Sequence, residues 1–305
     1  NYSLSVLSRA SGFAFNKTIF EQSNPGEDVY ALARDGKWTV DKMASFAKNA
    51  YSDLNGNSEM DDDDRYGISG SWKEVMSRFM LGSGIQFISK DENDLPVFSL
   101  PSDENAINKI LHIFDLVSDG QVYRNTGKNM DTTGDGLSET DFEAGKVMFY
   151  NANMFSLEQM RDFDIDMGFL PCPKYDEAQE TYYAPSFGSE ISVLLKTLPE
   201  DRKENVGILL EALAYDTNKS IIPEYKEVLL KTKYARDNES EEMIDIIVNS
   251  VSFEFGLNAW QDTVVNPFIK DVFVSKKGNV ASTLATMQKS VDAQIEKLVE
   301  KLNQE

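Results

Sequence analysis

The chain has 305 residues, 30 Lys+Arg against 51 Asp+Glu, and a formal net charge of −21. A chain of this length is expected to form about two domains, and 41% hydrophobic with 11% aromatic residues excludes a disordered acidic tail. The charge opposes a nucleic-acid backbone or an anionic membrane surface as partner and favours neutral or cationic ligands.

In chain order, residues 4–16 read as an extended segment ending on Phe13-Ala14-Phe15 before Asn16-Lys17. A loop at Asn24-Pro25-Gly26 follows. Trp38-Thr39 opens a helix in which Thr39 is the N-cap, Asp41 favours the start, and Met43, Phe46, Ala47 and Ala50 form one apolar face. An acidic run ends that helix, and Tyr66-Gly67-Ile68 begins a strand. Helices are predicted over 74–81 and 103–119, a helical turn through Phe142, and strands over 145–150 and 166–171, the last stopped by proline. Ser192-Val193-Leu194-Leu195 reads as a strand. Helices follow over 201–215, 222–232, 240–251 and 282–302. The first should present Val206, Leu209, Leu210 and Leu213 on one face, and the last Leu284, Met287, Val291, Ile295, Leu298 and Leu302. Helices alternating with short apolar strands indicate an α/β architecture. No run of about 18 apolar residues spans a bilayer.

Catalytic arrangements are limited by count. Cys172 is the only cysteine and His112 the only histidine, so no internal disulfide and no common Cys/His zinc site can form. His112 lies among Ile107, Ile110, Leu111, Phe114 and Val117 at helical spacing, which makes it a boundary residue. Cys172, between Pro171 and Pro173 with no earlier basic neighbour than Lys174, reads as an inert thiol. Gly82-Ser83-Gly84 and Gly134-Asp135-Gly136 lack the rest of a nucleotide fingerprint. An enzyme is not expected.

The acidic loop at 53–64 has the oxygen spacing of a twelve-residue calcium site. Asp53, Asn55, Asn57, Asp61 and Asp64 fall at positions 1, 3, 5, 9 and 12, and Glu59 at position 7 offers its carbonyl. Two departures stand out: Ser58 replaces the glycine of position 6, and Asp64 the bidentate glutamate. Structural Ca2+ is one reading, and a solvated loop is the other. Asp131-Thr132-Thr133-Gly134-Asp135-Gly136 starts similarly but has Phe142 at position 12, and reads as a polar turn.

Several strings taken together resemble the sugar-type extracellular solute-binding proteins of bacterial ABC importers. They are Phe13-Ala14-Phe15-Asn16-Lys17, Asp35-Gly36-Lys37-Trp38-Thr39-Val40-Asp41 and Phe142-Glu143-Ala144-Gly145-Lys146-Val147-Met148-Phe149. Gly168-Phe169-Leu170-Pro171-Cys172-Pro173-Lys174-Tyr175-Asp176 follows, with Gln179 and Tyr182-Tyr183. Leu210-Glu211-Ala212-Leu213-Ala214, Arg236-Asp237 and Glu242-Met243 are similar to the C-terminal helices of the Gram-positive, LipO-like lipoprotein branch. The family is the maltose-binding-protein-like family 1.

The resemblance implies an α/β fold of the periplasmic-binding-protein-like class II, with one complete lobe plus part of the other. Residues 1–16 would cross the hinge, 17–180 form the second lobe, 181–260 return to the first lobe and hinge, and 261–305 form C-terminal helices packing on the lobes. Most of the first lobe would lie outside the chain. A carbohydrate, expected to be an oligosaccharide, would be captured between lobes and delivered to ABC permease subunits by a monomer. The resemblance further implies an extracellular protein, lipid-anchored to the outer face of a Gram-positive membrane. Sugars need aromatic platforms and polar hydrogen-bonders. The candidates are Trp72, Asn151, Asn153 and Phe155 on the second lobe, with Arg9, Tyr183 and Trp260 near the hinges. Two alternatives stay open: a calcium-stabilised surface adhesion module, and a glycan-active enzyme with two opposed carboxylates.

Overall fold

Strand β1, Ser11–Asn16, is buried along its whole length and organises the molecule. A computed structural model describes residues 3–124, 139–188, 193–228, 237–275 and 278–303. The turn at 131–136, together with Ser192, 229–232 and Arg236, lies outside them. The remaining strands are β2 (Tyr66–Ser69), β3 (Ile88–Lys90), β4 (Pro96–Phe98), β5 (Tyr123–Arg124), β6 (Val147–Asn153), β7 (Met167–Pro171), β8 (Ala184–Pro185) and β9 (Val251–Ser252).

Five of them form one mixed sheet in the order β5-β2-β6-β1-β7. β2 runs parallel to both β5 and β6, while β1 is antiparallel to β6 and β7. The register places Phe15 opposite Phe149 and Phe13 opposite Leu170. With period-two alternation, these side chains share one face, where they meet Phe20, Trp38 and Phe46. Ala14 and Ala152 point the other way, onto Phe142, Met154, Leu157 and Met160. A sheet covered on both faces explains why the middle of β1, Gly12 to Phe15, is a continuous apolar run and not an alternating one.

Three helices open on side-chain caps, of which Thr39 is the one the sequence assigns. Asn16 Oδ1 accepts from the Ile19 amide at 3.0 Å and opens Lys17–Ser23. Thr39 accepts from the Lys42 amide at 3.3 Å and opens Val40–Ala50, which buries Met43, Phe46, Ala47 and Ala50 as predicted. Asp103 does the same for Glu104–Val117. The other predicted elements fall at Trp72–Gly82, Glu139–Glu143, Glu200–Asp216, Asn238–Asn249 and Val280–Asn303. The last helix packs on β4 and on Glu104–Val117, burying Leu284 and Val291.

Three expectations are corrected. Residues 4–16 are not extended throughout, because Ser5–Ser8 form a helical turn. Serine hydroxyls there bond the nearby backbone: Ser3 Oγ accepts from the Ser5 amide at 3.1 Å and Ser8 Oγ donates to the Ser5 carbonyl at 3.2 Å. Val193, Leu194 and Leu195 form no strand and are exposed, since an apolar run becomes a strand only beside a partner. Helix Glu200–Asp216 contains no buried residue, and Leu209 and Leu213 of its predicted apolar face are 57% and 44% exposed.

Helix Asn238–Asn249 packs on β7 and on helix Val29–Arg34, so this part of 181–260 lies on the five-stranded sheet. Its N-cap, Asp237, accepts from the Ser240 amide and is ion-paired with Lys17, which also reaches Asp166 at 3.6 Å. Burial acts to raise the Asp237 carboxyl, but the bonds from Lys17 and Ser240 outweigh it and hold the group below the usual carboxylate range. A depressed carboxylate stabilises the fold above its unfolded pKa and loses that contribution as the pH falls. Asp237→Asn is therefore expected to cost about 1–2 kcal/mol at pH 7. The gap from the parent should close as the pH drops below about 4, as followed by thermal midpoints across a pH series. A gap that stays constant would refute this.

Candidate functional site

The site begins at the turn that leaves β2. Ser69 Oγ donates to the Arg124 carbonyl at 2.9 Å, and Tyr123 Oη donates to the Gly70 carbonyl at 3.1 Å. Gly70 has φ +147°, and a Cβ there would fall 1.7 Å from Asn151 Oδ1 on β6. Only glycine allows this approach. The turn delivers Trp72 as the first residue of helix Trp72–Gly82.

Trp72 is 2% exposed, and its Nε1 has no hydrogen-bond partner. It lines a cavity of about 460 Å³ with Lys73, Asp262, Asn266, Lys270 and Asp271. Asn266 is 8% exposed; its Nδ2 donates to Asp262 Oδ1 at 2.9 Å. That bond fixes which end of the amide is the carbonyl, and Oδ1 is left without a partner. Two lining residues thus each carry a buried polar atom without a partner, one a donor and one an acceptor, each costing about 1–3 kcal/mol while unsatisfied. Two lysines balance two aspartates on its wall, and Lys73 Nζ stands 5.6 Å from the Trp72 ring centroid. A neutral group able both to accept and to donate, such as a hydroxyl, complements this wall.

The other predicted residues divide. Asn151 lies against the turn two residues before Trp72, so these two come together. Arg9 stands 5.8 Å from the ring centroid of Phe155, which is 44% exposed, and the pair forms a separate spot. Asn153 caps helix Met154–Met160, accepting from the Ser156 amide at 2.9 Å in a reciprocal capping box. Tyr183 packs beside Gly84, and Trp260 meets Phe255 edge-on at 5.3 Å. Asn266 and Asp262 are additions from the structure. The signal in the sequence is a polar residue inside the apolar stretch Val264-Val265-Asn266-Pro267-Phe268-Ile269.

Neither nucleophile candidate is armed. His112 Nε2 pairs with Asp41 at 2.9 Å on the surface, and burial pushes the Cys172 thiol up to about 12. In the acidic loop, Asp53 accepts from the Gly56 and Ser58 amides at 2.6 and 2.8 Å. Asp61 accepts from Asn55, Asn57 and the Asp63 amide. Asp64, fully buried, accepts from the Leu54 and Asp61 amides and from Tyr51. Ser58 takes φ +63°, the left-handed conformation glycine supplies at that position of a calcium loop. Glu59 bonds its own amide to Asn57 Oδ1. Among the described residues no three His, Cys, Asp or Glu side chains converge closely enough to hold a metal ion. The hydrogen bonds within the loop use only part of the acceptor capacity of each carboxylate. Among the described residues, no helix is long and apolar enough to cross a membrane.

The fold is that of class II periplasmic binding proteins. The sugar-binding protein MalE from Xanthomonas citri superposes with a TM-score of 0.61 at 14% identity, over 97% of this chain and 71% of that one. An ABC substrate-binding protein from Listeria monocytogenes, in complex with cycloalternan, gives 0.56 at 12% identity over 94% and 70%. UgpB from Mycobacterium tuberculosis, in complex with glycerophosphocholine, gives 0.58 at 11% identity over 95% and 70%. No family model matches the sequence, and no curated protein matches it.

Proposed function

We propose that this chain is a solute-binding protein that captures a carbohydrate at the Trp72–Asn266 cavity and hands it to an ABC permease. The observation that carries the reading is a polar, electrically balanced cavity lined by Trp72 and Asn266, each with a buried polar atom that lacks a partner, on a fold shared with proteins solved with oligosaccharides. Sugar hydroxyls, which both donate and accept, complement the polar side chains of this wall. Binding involves no bond making or breaking, in keeping with the unarmed His112 and Cys172. Residues 184–186, tied to Ala10 and to β9, would act as the hinge, with 17–180 as one lobe. The protein works outside the cell as a monomer, held by a lipid anchor.

Thermal-shift and calorimetric titration with maltotriose, cycloalternan and glycerophosphocholine tests this. A neutral oligosaccharide is expected to raise the melting temperature in a saturable way. Trp72→Ala and Asn266→Leu should each weaken that binding by about tenfold or more, equivalent to about 1.4 kcal/mol per decade. Stabilisation by glycerophosphocholine alone would replace the carbohydrate with a phosphodiester. Sustained release of reducing sugar would refute the transport reading.

A further inference from the structure

Arg78 is a buried cation whose contacts join segments that are far apart in the sequence. It lies in helix Trp72–Gly82 with a side chain 1% exposed. Nη1 donates to the Glu74 carbonyl at 2.9 Å and to Glu74 Oε2 at 2.5 Å, and Nη2 donates to the Ala152 carbonyl at 3.2 Å. The guanidinium carbon stands 4.9 Å from the ring centroid of Phe187, and Nε has no partner. Ala152 sits between Asn151 and Asn153 on β6, and Glu74 follows Trp72 by two residues.

Phe187 is held separately. Its neighbour Ser186 donates through its amide to the Ser252 carbonyl at 3.0 Å and through Oγ to the Val6 carbonyl at 2.9 Å. Ser186 also bridges to Ala10, and its carbonyl accepts from Asn258 Nδ2 at 3.4 Å. Residues 184–187 therefore record how the segments at 6–10 and 251–258 sit.

We infer that Arg78 is a positioning residue that couples residues 184–187 to the helix start bearing Trp72 and to the end of β6 bearing Asn151, setting the cavity mouth according to the state of that tie. Burying a cation is costly and, for stability alone, an apolar side chain of similar length serves as well. A planar fork can bond two carbonyls in different directions while lying on an aromatic ring, and no apolar residue can do that. Lysine carries the charge without the fork. The coupling itself needs no ligand; only its consequence for affinity rests on the carbohydrate reading.

The test is a double-mutant cycle read by fluorine NMR on 5-fluorotryptophan-labelled protein, with the Trp72 signal assigned by Trp72→Phe. Phe187→Leu is expected to shift the Trp72 signal in the parent and to leave it unmoved in Arg78→Met. Arg78→Lys serves as the second background and should lose at least half of the response while staying folded by near-ultraviolet dichroism. An equal shift in the parent and in whichever of these variants folds overturns the inference, and so does the absence of any shift in the parent. Titrating the same samples with maltotriose separates the two readings. No response of the parent to maltotriose, with the cycle intact, defeats the carbohydrate assignment alone. A maltotriose response with additive mutations defeats the coupling alone.

Discussion

Trp38→Ala is expected to lower the unfolding free energy by about 4 kcal/mol, within the range for deleting a buried aromatic. Trp38 has no exposed surface and lies between helix Val40–Ala50 and the sheet. Its ring centroid is 5.7 Å from that of Phe149 on β6 and 6.4 Å, stacked, from that of Phe46. Its Nε1 donates to the Pro171 carbonyl at the end of β7 at 3.0 Å. Alanine would leave a large cavity and strand a buried carbonyl. Trp38→Phe keeps most of the volume and loses the hydrogen bond, so it should cost only about 1 kcal/mol beyond the small volume change. Urea denaturation of the two variants checks the argument; equal losses would show that packing around Trp38 is not what holds the sheet to its helix.

Gly67→Ala is expected to be nearly as damaging, at about 3 kcal/mol, the upper end of overpacking penalties. Gly67 lies in β2, and a Cβ there would sit 2.1 Å from the Ala47 carbonyl oxygen and 2.2 Å from its Cα. Both atoms are backbone of helix Val40–Ala50, so no rotamer change relieves the clash. The helix would have to move off the sheet, carrying Phe46 with it. Gly207 provides the control of opposite sign: it sits in helix Glu200–Asp216, and a methyl group added there would meet nothing within 4 Å. Gly207→Ala should stabilise the protein by about 0.5–1 kcal/mol through helix propensity. Equilibrium unfolding of both variants tests the pair, and a mild Gly67→Ala would mean that helix and strand are not in the contact described.

The candidate site is legible in the sequence only in part. Trp72 is identifiable because an aromatic follows a short strand and a glycine turn, and Asn151 because it follows the buried run of β6. Both are features of neighbours in sequence. Asn266 escapes such a reading since its role depends on Asp262 fixing its amide and on Trp72 sharing its cavity, and no local pattern encodes that meeting. Asn153 points to a ligand by its place at the end of a strand, yet the same place makes it the N-cap of the next helix. Arg78 shows only as one half of a Glu74–Arg78 pair at helical spacing, an arrangement that on a surface helix has little consequence.

By itself the sequence determined the cap at Thr39 and the apolar face of the helix it opens, the apolar period of Glu104–Val117, the buried runs of β1 and β6, and the acidic balance. These rest on hydrogen bonds and periodicities that act within a few residues, so a short window contains all the physics needed. Only the tertiary structure decided the order β5-β2-β6-β1-β7, the exposure of Leu209 and Leu213, and the convergence of Trp72 with Asn266. A helical period shows that an apolar face exists and not what covers it. Those outcomes depend on segments brought together by the sheet, where distance along the chain no longer measures distance in space.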